Sequence, residues 1–140
     1  MDGFINLLKP PGMTSHDAVG YVRRQLGEKK IGHAGTLDPG AAGVLPIAVG
    51  KATRLIEYLD GVEKSYRAEL LFGYATDSGD DSGQVLEQAD SFVMPTKEKL
   101  LEAFQHFTGS ITQIPPAHSA IKINGRRACD LLREGQKVDI

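Results

Sequence analysis

Residues 32–46 read GHAGTLDPGAAGVLP, and the wider segment 29–50 holds five glycines, two prolines, one aspartate and one histidine, with little periodicity of either kind. A stretch that long with no element of its own is more often a functional loop than a linker, and the sequence predicts such a loop here. Asp38 is the only acid between Glu28 and Glu57. Pro39 fixes the backbone that follows and biases Asp38 itself away from helical angles. Gly32, Gly35, Gly40 and Gly43 permit positive φ and a close approach of other backbone. Two readings follow: a carboxylate presented by a rigid, open loop to something large, or a turn-capping aspartate in a glycine-rich connection.

Working outward, residues 3–8 are apolar and stopped by Pro10-Pro11-Gly12, which predicts a buried strand and a turn. Ser15 is placed to cap a helix whose Ala18, Val19, Val22 and Leu26 share a face, closed by Gly27. Helix period returns at residues 53–59 through Leu55, Ile56 and Leu59, ended by Gly61. From 64 to 75 the apolar residues alternate, with Tyr66, Ala68, Leu70, Phe72 and Tyr74 on one face, which is strand period. The acidic turn TDSGDDSG follows, with Val85-Leu86 as the returning strand of a hairpin. Thr96 caps a further helix carrying Leu100, Leu101, Phe104 and Phe107 to Gly109. Residues 120–123 are strand-like, Asn124-Gly125 is a tight hairpin turn, and 128–134 form a short helix stopped by Gly135. The closing KVDI opens another strand, as in a partial chain. Strands separated by mixed turns and helices, without internal repeats, indicate α+β rather than a regular βαβ series.

With 140 residues, 41% hydrophobic and 24% charged, the chain has the length and composition of one ordinary globular domain. That excludes a disordered tail, a collagen-like fibre and a low-complexity segment. No apolar run reaches the roughly 18 residues of a membrane span, and the N-terminus MDGFINLLKPPG is not a secretory signal. Cys129 is the single cysteine, which excludes an internal disulfide and a cysteine-based zinc site and makes a reducing cytoplasm the expected location. Net charge is −2, yet residues 115–137 carry five cations against two acids, while residues 76–90 carry five acids and no Lys or Arg. Such polarity suits steering of an RNA, and it also suits ordinary solvated faces.

Other chemistries fail on spacing. The glycine-rich loop lacks both G-x-x-x-x-G-K-[ST] and a strand-linked G-x-G-x-x-G. The acidic turn is not an EF-hand: Gly79 stands where a ligand is needed and no Glu occupies the twelfth position. His16, His33, His106 and His118 lie at no metal-like spacing, so no metal is expected. The G-x-S-x-G elbow of a serine hydrolase is absent.

Four segments resemble, in order and at similar spacing, the motifs of the TruB family of tRNA pseudouridine synthases. They are KPPGMTS, GHAGTLDPGAAGVLPIAVGKATRL, KSYRAELLFGYATDSGDDSG and IPPAHSAIKINGRRACDLLREG, which are spread along the chain from residue 9 to residue 135. The resemblance implies a pseudouridine synthase fold: a mixed, mainly antiparallel sheet flanked by helices and loops. It implies isomerisation of a uridine in the T arm of tRNA, position 55, to pseudouridine without an external cofactor. Asp38, in the GTLDP match, is then the catalytic carboxylate. Arg133 matches the arginine that pairs with it, and a bidentate Arg–carboxylate contact would keep the acid ionised in the buried site that base flipping creates. Tyr66 matches the active-site tyrosine that stacks on the extruded base, and His33 the histidine near the flipped nucleotide. Lys9 matches the KPxGxTS lysine that supports the active-site loop, whose Gly35, Thr36, Leu37 and Pro39 are assigned structural roles. Lys29, Lys30, Arg126, Arg127 and Lys137 are candidates for phosphate contacts.

The chain departs from the family pattern at Cys129, usually tyrosine, and at Leu132, often alanine. It also contains no match to the family's later KGTYIR-like motif, and no PUA domain. The expectation is therefore that residues 1–140 are the N-terminal portion of one catalytic domain, whose C-terminal region is a further partner. The alternative is a non-catalytic RNA-binding fragment of such an enzyme.

Overall fold

The computed structural model describes residues 1–59, 61–115, 119 and 121–136. They fall into two compact units, 1–68 and 69–140. In the first unit the chain runs through strand β1 (Gly3–Lys9), helix α1 (Ser15–Leu26), strand β2 (Ile31–His33), strand β3 (Gly43–Val49) and a 3₁₀ helix at Gly50–Leu59. The strands form one antiparallel sheet in the order β1-β3-β2, with Asn6 opposite Pro46 and Gly32 opposite Ala48.

Ala18, Val19 and Val22 of α1 bury against Ile31, Leu45, Ile47 and Val49 of the sheet, and Ile5, Leu7, Met13 and Leu37 pack around them. Val22 lies one turn beyond the adjacent Ala18 and Val19, on the face predicted from their spacing. Strand β1 is not buried throughout. Ile5 and Leu7 point inward, whereas Phe4, Asn6 and Leu8 are exposed, because only one face of the strand meets the core.

The segment 29–50 departs further from the sequence expectation. It is not one irregular loop but carries β2 and β3 at its ends, leaving residues 34–42 between them. Strand β3 is almost continuously apolar, and residues 47–49 are buried in succession, as expected of a central strand covered on both faces there, while Val44 near its start is exposed. Its Pro46 is accommodated because β2 pairs only as far as Ile47. The Pro46 carbonyl accepts from Ala34 N at 2.9 Å, and its own missing N–H faces the same side, just beyond the end of the ladder.

Thr14, not Ser15, caps α1. Its hydroxyl accepts from Asp17 N at 3.0 Å, and the Asp17 carboxylate accepts from Thr14 N at 2.9 Å, a reciprocal capping box. Gly27 closes the helix in the left-handed region. The helical reading of 53–59 becomes a 3₁₀ helix beginning three residues earlier, where Asp2 accepts from Lys51 N at 2.6 Å.

In the second unit the hairpin β4 (Tyr74–Thr76) and β5 (Val85–Gln88) surrounds the acidic turn, and helix α2 (Lys97–Gln105) starts at a Thr96 cap. The predicted strand over 64–75 reduces to β4: residues 64–71 take no strand and are exposed, because no neighbouring strand supplies a ladder among the described residues. Helix α2 stops at Gln105, short of Gly109. Strands β6 (Lys122–Ile123) and β7 (Arg126–Arg127) join through Asn124 and Gly125, both at positive φ, and lead into α3 (Ala128–Arg133). That is the two-residue turn whose twist suits a hairpin. The KVDI strand lies outside the described residues. No helix among the described residues is long and apolar enough to cross a membrane.

Candidate active site

Asp38 sits in the connection from β2 to β3, and each flank of that connection is tied to the segment between β1 and α1. Before it, Leu37 N donates to Ser15 Oγ at 2.9 Å, and Ser15 Oγ donates to the Leu37 carbonyl at 3.1 Å. The Leu37 side chain packs against the core. After it, the Pro39 carbonyl accepts from Gly12 N at 2.8 Å and from Lys9 Nζ at 3.4 Å. Lys9 is fully buried, and its ammonium also donates to the carbonyls of Met13 at 2.8 Å and Pro10 at 3.0 Å. Three donors thus meet three acceptors, which is what a buried ammonium requires. A turn closed by Ala41 N on the Asp38 carbonyl at 3.0 Å, with Pro39 at its second position, completes the loop.

The Asp38 side chain is exposed and has no hydrogen-bond or ion-pair partner among the described residues. The backbone is held while the carboxylate stays open. Of the four glycines flagged in the sequence, only Gly35 uses positive φ, at 85°. Gly32 is instead a close approach: a Cβ there would stand 2.9 Å from Ile56 Cδ1.

His33 ends β2, half-buried, with Nδ1 on the Gly35 carbonyl. Thr36 is exposed and Leu37 half-buried. Tyr66 is 74% exposed, and no hydrogen bond or ring contact joins it to Asp38 among the described residues. Lys29 and Lys30 are exposed between α1 and β2. In the second unit Arg126 and Arg127 are exposed on β7, and Arg126 is ion-paired to Glu134. With Lys122, Gly125 and Asp130 they line an open cleft of about 610 Å³. Arg133 ends α3; its side chain and Lys137 lie outside the described residues. No group of three or more His, Cys, Asp or Glu suited to a metal occurs among the described residues.

Residues 23–140 match the family model described as TruB family pseudouridylate synthase (N terminal domain). The chain belongs to that family. TruB relatives include the tRNA pseudouridine synthase B of Symbiobacterium thermophilum, 55% identical over 99% of this chain and 46% of the relative. That of Carboxydothermus hydrogenoformans is 55% identical over 99% of this chain and 48% of the relative. The chain therefore spans about half the length of the curated TruB proteins it matches. A crystal structure of a Cbf5-Nop10-Gar1 complex matches at TM-score 0.56 and 34% identity, over 86% of this chain and 31% of that one. With its antiparallel sheets and flanking helices, the protein has the mixed α+β architecture expected of a TruB chain.

Sequence reasoning passed over Ser15 as a loop contact and assigned it to helix capping. The KPPGMTS motif was the available signal, since Thr14 directly before it is an equally good cap and leaves the Ser15 hydroxyl unassigned.

Proposed function

We propose that the protein converts uridine to pseudouridine in the T arm of tRNA, at position 55, with Asp38 as the catalytic carboxylate. The observation that carries the reading is the open Asp38 side chain on a backbone tied down at Leu37 and Pro39. Acid groups that act on a reacting centre need that combination of fixed origin and free head. The reaction breaks the N1–C1′ glycosidic bond, turns the uracil, forms a C5–C1′ bond, releases the C5 hydrogen as a proton and leaves N1 protonated, so that atoms balance. A carboxylate contributes by adding to sugar or base, or by assisting loss of a sugar proton.

In this reading Tyr66 stacks on the extruded base, His33 fills the gap left in the RNA stack, and Arg133 pairs with Asp38 to keep it ionised. Lys29, Lys30, Arg126, Arg127 and Lys137 contact phosphates. No external cofactor or metal enters, and a tRNA substrate puts the reaction in the cytoplasm. Residues 1–140 act as the N-terminal portion of a catalytic domain, a reading supported by the N-terminal family match and by coverage of half the relatives' length.

The test is tritium release from tRNA carrying [5-³H]uridine. Release that disappears in Asp38→Asn is the expected result; equal release in the variant removes Asp38 from the chemistry. One observation favours a second reading, an RNA-binding chain without turnover of its own: the chain spans about half the length of the curated relatives it matches. Salt-sensitive tRNA binding without release in the 140-residue chain would select it.

A further inference from the structure

We infer that Ser15 is a positioning residue for Asp38, an inference that rests on the catalytic reading of that carboxylate. Ser15 is the first residue of α1, one position past the N-cap site where serine ordinarily caps a helix. Thr14 already does so, and the Ser15 hydroxyl turns instead to a backbone 22 residues away, accepting from Leu37 N and donating to Leu37 O. Only 3% of Ser15 is exposed. One hydroxyl thus satisfies both polar groups of the residue preceding the acid.

The Leu37 side chain meanwhile packs on the core cluster formed by Ala18, Val19 and Val22 of the same helix together with Ile31, Leu45, Ile47 and Val49 of the sheet. The Leu37 backbone is therefore tied to α1 and its side chain to the core. Pro39, on the other side, is held through Gly12 and Lys9. Asp38 is the single residue between these two ties, so freeing either one lets its carboxylate wander. Rotation of one peptide displaces a side chain by about an ångström, and displacement of that size costs about 10²-fold in rate.

The experiment compares Ser15→Ala, Ser15→Thr and Thr14→Ala in the intact protein, reading kcat and KM for tritium release alongside the thermal midpoint. Thr14→Ala is the structural control: it weakens the helix cap next door and leaves the Leu37 contact in place. Ser15→Ala is expected to lower kcat 10-fold or more with KM for tRNA within about 2-fold, while Thr14→Ala lowers the midpoint and keeps kcat. Ser15→Thr, which retains a hydroxyl, is expected to recover most of kcat. Loss of kcat in Thr14→Ala equal to that in Ser15→Ala, or an unchanged kcat in Ser15→Ala, overturns the inference.

Amide hydrogen exchange judges the tie without any activity. Ser15→Ala is expected to speed exchange at Leu37 and Ala41 by 10-fold or more and to leave the β1–β3 ladder unchanged. Unchanged exchange at Ala41 overturns the inference even if the unmutated protein is active. If the unmutated protein releases no tritium, the catalytic reading fails and exchange alone decides whether Ser15 orders this loop.

Discussion

Lys9, the lysine that the family resemblance assigns to supporting the active-site loop, is built into the scaffold beneath it. Its ammonium is fully buried, and its donors meet the carbonyls of Pro10, Met13 and Pro39. Replacement by methionine keeps most of the side-chain volume and removes all three donors. Hydrogen bonds made by a charged group are worth about 1.5–3 kcal/mol each, so Lys9→Met is expected to lower unfolding free energy by about 2 kcal/mol in urea titrations. Lys9→Arg is expected to fail likewise, because a planar guanidinium does not fit an enclosed site made for a compact ammonium. An arginine variant as stable as the parent would show that the site is roomier than its contacts indicate.

At the scale of elements, the α1 cap yields a pH prediction. The Asp17 carboxyl is held below its ordinary value of 3.8, first by the Thr14 hydroxyl and then by the Thr14 backbone N–H. A depressed folded-state value means the unfolded chain takes up the proton first. The stabilisation is complete above the ordinary value and is lost as pH falls through the lower folded one. Asp17→Asn is therefore expected to be less stable at neutral pH, with the gap in thermal midpoint closing below about pH 4. A constant gap across that range would assign the loss to helix propensity instead.

The same helix shows what the sequence carried. Its apolar spacing and the Gly27 stop were legible because a local pattern determines them. The Thr96 cap and the Asn124-Gly125 turn were legible for the same reason. Strands β2 and β3 were hidden because their evidence is non-local: glycine and proline lower strand propensity, and only pairing of β3 with β1 and of β2 with β3 recovers it. Alternation over 64–75 misled for the converse reason, since a strand pattern without a neighbouring strand makes no ladder. At the site, Asp38 stood out by isolation among glycines, whereas the Ser15–Leu37 contact spans 22 residues and leaves no periodic trace.

For the whole molecule, the proposed function and a net charge of −2 together require that local cations bind tRNA against a weakly unfavourable mean field. Each phosphate contact releases condensed counterions and adds about 0.9 to the slope of log K against log salt. The candidates are not equivalent in this respect. Arg126 is already engaged by Glu134, both side chains half exposed, whereas no side-chain hydrogen bond or ion pair ties down Arg127 beside it among the described residues. A cation that must leave a carboxylate to reach a phosphate gains little and releases fewer counterions. Arg127→Ala is thus expected to weaken tRNA binding and flatten the salt slope by about 1, and Arg126→Ala to change it by less than half as much. Glu134→Gln should steepen the slope by freeing Arg126, and this effect should vanish in the Glu134→Gln, Arg126→Ala double variant. Filter binding across 50–300 mM salt measures all four slopes; equal effects of the two arginine variants would show that the Glu134 pair does not hold Arg126 back from RNA.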